Sequence, residues 1–500
     1  MKRKIKKKLE VIEQYNVVAD QVRAVVKISG EKGKALRYEL FLPKCSPATL
    51  ALLEEIRHQL VTEVAISAAE ILDPKIIIKL KEQFRSKAES ILSQRLERIT
   101  AETKSFLIGI MLHEMLGLGK LEFLLNDPNL EEIVVSSVAE PIRIYHKKLG
   151  WLVTNLWVES EDQIQNYANI IARRVGRQIT TLEPLLDAHL VTGDRANAVL
   201  YPVSCKGNTI TIRKFARDPW TIVDFISNST ITSELAALIW LAVQYEMNVL
   251  ISGGTASGKT SLLNVIMPFI PPNQRIITIE QTRELRLPKY LFWCPLVVRL
   301  PNPEGKGGVD MLDLMVNSLR MRPDRIILGE IRRAEEAAVL FEAMHTGHSV
   351  YATVHADDLI ETIARLTNPP ISVPANLMKA VNLCVVMFRD RRKGIRRLYQ
   401  AGEFIPSEEA GITTVKPNLL FRWKPAVDKI VAHAKSIRFF DDLSRHTGLT
   451  QQELNQEIAT KKKILEWMVK HNVRYVDDVG KLMNDYYLDP NLVLKAIHKK

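Results

Sequence analysis

The residues Gly253, Gly254, Thr255, Ala256, Ser257, Gly258, Lys259 and Thr260 fit the spacing G-x-x-x-x-G-K-[ST]. Glycines let a main chain curl until its N–H groups converge on phosphate oxygens, and a helix opening at the lysine adds a favourable dipole. Lys259 then reaches the β- and γ-phosphates of a nucleoside triphosphate, the Thr260 hydroxyl ligates magnesium, and Ser261 continues the loop into the helix. Two carboxylates follow in chain order. The runs Arg275-Ile276-Ile277-Thr278-Ile279-Glu280 and Arg325-Ile326-Ile327-Leu328-Gly329-Glu330 are β-branched, apolar and end on an acid. A strand ending in a carboxylate delivers it to the carboxyl edge of a parallel sheet, where ligands bind. One acid can orient or deprotonate an attacking water while the other holds the hydrated cation.

Further on stand His345, His348 and His355 with Asp357 and Asp358. Their spacing matches neither H-E-x-x-H nor a Cys/His ligand set, so a metal centre is the weakest of three readings. Core or surface histidines are the second. The third is a strand-end histidine that contacts the γ-phosphate or its water.

Elements must carry these groups. Met247–Ser252 reads as a short buried strand and Ser261–Met267 as a helix packed on a sheet, giving the strand–loop–helix order that a phosphate loop needs. Residues 223–405 alternate strand and helix around the loop, as a parallel sheet with crossover helices does. A linker at 217–222 contains Pro219, before which a chain avoids helix. Residues 106–216 mix short strands with turns. Residues 1–105 read as helical and charged and 406–500 as helical, with Thr450–Glu453 as a capping box. The fold class is therefore α/β.

The bulk numbers limit the alternatives. Five hundred residues exceed one core, and a net charge of +12 suits an acidic partner without saying which. The cysteines Cys45, Cys205, Cys294 and Cys384 lie far apart and form no C-x-x-C pair, which argues against a disulfide framework and a cysteine zinc site and fits a reducing cytoplasm. The apolar run Leu235–Val243 falls short of a membrane span. The start Met1–Lys8 is basic, but Glu10, Glu13 and Asn16 follow where a signal peptide needs an apolar stretch.

The segments GGTASGKTS, ITIEQTREL, SLRMRPDRIILGEIRRAE and AMHTGHSVYATVHADD, in this order, resemble the Walker A, Asp box, Walker B and His box of the secretion ATPase superfamily. That family drives type II and type IV secretion, type IV pili and archaella. Upstream, Gly117–Glu122, Asn126–Pro128 and Thr192–Ala198 resemble its amino-terminal domain, and the phrases around Gly254 and Thr282 look most like its archaeal branch.

The resemblance implies a RecA-like motor domain preceded by a PAS-like domain, assembled as a homohexamer. It implies ATP and Mg2+ as cofactors, and a cytoplasmic location at the inner face of the membrane. Contact with that membrane would come through a polytopic platform protein, with no nucleic acid partner. Glu280 matches the catalytic Asp-box glutamate, Glu330 the Walker B acid that also holds the cation through water, and His348 and His355 the His box. Arg195 and Arg213 match arginines that reach phosphate when the domains close. Two positions depart from the pattern: Gln281 stands where the family usually has Asp, and Arg333 where it commonly has Gly. A nucleic-acid motor and a nucleotide-dependent scaffold with little hydrolysis remain as alternatives.

Overall fold

The computed structural model describes residues 10–30, 35–43, 45–63, 74–96, 99–190, 193–215, 219–301, 305–390, 392–409 and 412–498. The basic start, Thr192 of the upstream motif, and Arg217 and Asp218 of the linker lie outside them. The chain divides into two compact units, residues 1–217 and 218–500.

The first unit begins with β1 (Glu10–Ala19), β2 (Val22–Gly30) and β3 (Arg37–Phe41), then α1 (Pro47–Glu63), α2 (Pro74–Arg95), α3 (Ala101–Met115) and α4 (Leu121–Asn126). It continues with β4 (Leu130–Val135), β5 (Arg143–His146), β6 (Gly150–Thr154), α5 (Glu161–Arg174), β7 (Leu185–His189), β8 (Arg195–Val199) and β9 (Thr209–Arg213). Its strands form one sheet in the order β1-β2-β3-β6-β5-β4-β9-β8-β7.

The wholly helical start expected over 1–105 is overturned by these first three strands. Along β2, Val22, Ala24, Val26 and Ile28 are buried while intervening residues are more open, the period of two that a half-buried strand requires. The β1–β2 turn is made by Asp20 and Gln21, both at positive φ (44° and 72°). Asp tolerates that conformation, so a tight hairpin turn forms without glycine. The three helices after β3 pack around Leu53, Ile56, Phe84, Leu92 and Leu112 as a separate small core.

The second unit contains α6 (Ile222–Ser227), α7 (Ser233–Gln244), β10 (Val249–Gly253), α8 (Lys259–Ile266), β11 (Arg275–Glu280), β12 (Phe292–Val297), α9 (Met311–Ser318), β13 (Arg325–Leu328), α10 (Ala334–His345), β14 (Ser349–Val354), α11 (Leu359–Thr367) and β15 (Leu383–Asp390). Then come β16 (Ile395–Glu409), β17 (Ile412–Lys424), β18 (Lys429–Ala432), α12 (Phe439–Thr447), α13 (Gln451–Lys470), α14 (Val476–Leu488) and α15 (Pro490–His498). The strand order is β12-β11-β13-β14-β10-β15-β16-β17-β18. Neighbours from β12 to β15 run parallel, and β16, β17 and β18 add antiparallel.

Alternate residues of each parallel strand feed two cores. Val249, Ile251 and Tyr351 pack with α7, α8 and the carboxyl-terminal helices. Leu250, Ile277 and Ala352 pack with α10 and α11 on the other side. The boundary expected at 405 falls inside β16, and the carboxyl-terminal region is helical only from Phe439. Its β16–β17 hairpin is rich in β-branched and aromatic residues, which suit a pleated surface. The capping box at Thr450 is present: Glu453 N–H donates to Thr450 Oγ1 at 3.3 Å and Thr450 N–H to Glu453 Oε2 at 2.8 Å. Among the described residues, no helix is long and apolar enough to cross a membrane.

Candidate nucleotide site

β10 lies between β14 and β15 and is buried along its whole length. Leaving it, the chain turns through Gly253 (φ 147°), Ala256 (φ 60°) and Gly258 (φ 102°) before α8 begins at Lys259. A Cβ on Gly253 would lie 2.5 Å from the Met387 carbonyl and from Ser257 Oγ, so main chain from β15 closes that position. A Cβ on Gly254 would lie 2.6 Å from Asp357 Oδ1. The loop is therefore hemmed in by β15 on one side and by the segment leaving β14 on the other. Ser257 Oγ is buried and has no hydrogen-bond partner. Such an orphaned hydroxyl in a phosphate-type loop matches a ligand rich in acceptors.

Lys259 is buried, and its Nζ donates to the carbonyls of Gly253 (2.7 Å) and Gly254 (3.0 Å). It also lies 3.2 Å from His355 Nδ1. Burial lowers its pKa, while the charges of Glu330 and Asp357 act the other way. His355 Nε2 is 3.1 Å from Glu330 Oε1. Arg332 donates to Glu330 Oε2 from Nε (2.9 Å) and Nη2 (2.7 Å), and from Nη1 to Gln281 Oε1 (2.8 Å). Lysine, histidine, glutamate, arginine and glutamine thus form one connected chain from the loop to the end of β11.

Glu280 ends β11 and is buried. Its Oε1 accepts the N–H groups of Glu284 (2.8 Å) and Leu285 (3.0 Å), while Oε2 is buried without a partner. Burial pushes its carboxyl up to about 7 against the pull of those N–H groups. A carboxyl poised near neutrality suits proton transfer at neutral pH.

The expected residues do not all converge. Lys259, Thr260, Glu330 and His355 gather at the carboxyl edge of the parallel strands. His348 precedes β14, at the opposite edge from His355, and its Nδ1 lies 3.2 Å from Thr346 Oγ1. A strand of this length separates the two histidines by about 20 Å. The structure therefore does not bring His348 to the loop. Arg195 and Arg213 belong to the first unit, where they are register partners on β8 and β9, and Arg213 also pairs with Glu132 on β4.

One neighbour of the loop was not expected from the sequence. Arg396, at the start of β16, donates from Nε to the Ala256 carbonyl at 3.2 Å. The basic run from Arg389 to Arg397 was its signal, but only the placement of β15 beside β10 carries it to the loop.

The family described as Type II/IV secretion system protein matches residues 163–392. An uncharacterised protein of Methanocaldococcus jannaschii is 35% identical over 382 residues, covering 75% of this chain and 68% of the relative. The type IV secretion system protein PtlH of Bordetella pertussis is 31% identical over 290 residues, covering 51% of this chain and 84% of the relative. Among solved structures, the VirB11 ATPase from the Brucella suis type IV secretion system, in complex with sulphate, shares 26% identity. That match covers 56% of this chain and 90% of the other, with a TM-score of 0.29. The family match and the two sequence relatives, each covered over more than two thirds of its length, show that the chain belongs to the type II/type IV secretion ATPase superfamily.

Proposed function

We propose that this chain hydrolyses ATP and uses the energy as a motor of a type IV pilus-like, type II secretion or archaellum machine. The observation that carries the reading is the contact of Lys259, on the phosphate loop, with His355, which in turn meets Glu330. A triphosphate held by the main-chain N–H groups of residues 254–260 replaces the loop carbonyls as the partner of Lys259. In this reading His355 contacts the terminal phosphate or the attacking water. Glu280, once ionised, takes the proton of that water.

Thr260 and Glu330 supply hard oxygen donors of the kind Mg2+ takes together with phosphate oxygens, so they are the residues that would hold it. When bound, the ion neutralises charge on the phosphates. Arg195 and Arg213 are proposed to reach the phosphates from the first unit, which we read as the PAS-like partner of a RecA-like motor. A guanidinium offers a planar fork that spreads transition-state charge. Hydrolysis would then depend on closure of one unit on the other. We further propose a homohexamer at the cytoplasmic face of the membrane, acting on a polytopic platform protein.

Phosphate release by the wild-type chain beside Lys259→Ala and Glu330→Gln tests the reading. The wild type is expected to exceed both variants by about a hundredfold or more. Equal rates for all three would leave a nucleotide-binding scaffold instead.

A further inference from the structure

Gln281 and Arg332 are 51 positions apart in sequence, yet Arg332 Nη1 donates to Gln281 Oε1 at 2.8 Å. On another edge of the guanidinium, Nε and Nη2 both donate to a single oxygen of Glu330, Oε2. This leaves Glu330 Oε1 to meet His355 Nε2. The main chain of Arg332 is also tethered, because its N–H donates to Glu336 Oε2 at 2.9 Å where α10 begins. Arg332 is thus held at its backbone by one residue and at its tip by another. An isolated ion pair with an arginine 58% exposed adds little to stability, so stability does not account for the arrangement.

We propose that Arg332 is a positioning residue for Glu330, and that Gln281 anchors it. A rigid fork on one carboxylate oxygen turns the other toward His355, which a flexible point charge cannot do. The amide at 281 matters for the same reason. Its oxygen accepts Nη1 without adding a second negative charge that would draw the guanidinium away from Glu330. Gln281 then works as a neutral tether, and the chain from Gln281 through Arg332, Glu330 and His355 to Lys259 keeps one alignment.

The inference rests on the hydrolytic reading of the site. Its test uses the full chain, with steady-state phosphate release and binding of a fluorescent ATP analogue in EDTA. Arg332→Gln is expected to lower kcat about tenfold or more while KM and analogue affinity stay within about twofold of wild type. Arg332→Lys restores only part of the loss, because an ammonium cannot bridge Gln281 and two contacts on Glu330. Gln281→Ala lowers kcat in the wild-type background and has no further effect beside Arg332→Gln.

A kcat within about twofold of wild type for Arg332→Gln, or a loss confined to KM, overturns the proposal. So does full activity of Arg332→Lys, which decides the matter if Arg332→Gln does not fold. Multiplying, independent effects at 281 and 332 overturn the tether. If the wild type is no faster than Lys259→Ala, the hydrolytic reading fails. If the wild type is faster and the Arg332 variants match it, only this inference fails.

Discussion

Lys259 Nζ lies 3.2 Å from His355 Nδ1, on the opposite side of the ring from the 3.1 Å approach of Nε2 to Glu330 Oε1. An ammonium only donates, so Nδ1 accepts and the ring proton sits on Nε2, facing the carboxylate. Burial, and then the charge of Lys259, hold His355 below the ordinary histidine range, which keeps the ring neutral. A neutral ring in this tautomer relays position between lysine and glutamate. His355→Ala should therefore lower kcat by about ten- to a hundredfold, with a smaller change in nucleotide affinity. Steady-state kinetics with a separate binding titration checks this.

The base role proposed for Glu280 predicts a pH dependence. Burial pushes its carboxyl up to about 7, so the ionised form that the proposed base role needs becomes scarcer as pH falls through that value. Phosphate release should drop about tenfold per pH unit below 7 and level off above it, whereas Glu280→Gln should give a low, flat profile.

The same group affects stability with a definite sign. From an ordinary 4.5 up to about 7, the unfolded chain loses this proton before the folded one does. Stability therefore falls as pH rises across that window, by about 3 kcal/mol at most. Glu280→Gln should narrow the difference in Tm between pH 5 and pH 8.

The loop glycines should separate by what they meet. At Gly253 a Cβ strikes main chain from β15 in a backbone conformation unfavourable to L-residues. Gly253→Ala should cost about 2–3 kcal/mol and abolish nucleotide binding, by denaturant melts and titration. At Gly254 the obstacle is the tip of Asp357, which can swing aside. Gly254→Ala should cost less than about 1 kcal/mol.

In the first unit, Asp20 Oδ2 lies 3.2 Å from His113 Nε2 and accepts Lys81 Nζ at 2.9 Å. The His113 ring beside it, then Lys81, hold its carboxyl well below the usual range. Its stabilising contribution is complete above the ordinary carboxylate range and is lost as pH falls through the depressed value. Asp20→Asn should destabilise this unit by about 1–3 kcal/mol at pH 7 and much less at pH 2, read from thermal melts.

Glu403, fully buried on β16, accepts the N–H groups of Ile437 (2.6 Å), Arg438 (3.0 Å) and Phe439 (2.6 Å). It thereby caps the start of α12. An amide there turns a donor toward other donors, so Glu403→Gln should cost about 2–4 kcal/mol. Hydrogen exchange should show α12 opening first.

The phosphate loop and the strands ending in acids were legible because each is a local pattern: glycine spacing, or an apolar run closed by a carboxylate. His355 was legible for the same reason. The early strands were not, because charged residues on the open face of β1 and β2 read as the polar face of helices, and the Asp20–Gln21 turn carries no glycine. His348 shows the reverse failure. Its type and nearness to His355 in sequence suggested a shared role, while β14 carries the two apart. Arg396 and the Gln281–Arg332 pair depend on which strands become neighbours, and strand order is set by packing over the whole unit rather than by any short window.

β10 sits between β14 and β15 with parallel register on both sides. The glycine loop and the histidine beside it consequently grow from adjacent staves of one stiff plank. Their separation cannot serve as a moving gauge of what is bound. Any stroke must be transmitted by parts not nailed to that plank, such as the segment after Glu280. The central strand makes the site an anvil, and it assigns the motion to whatever strikes it.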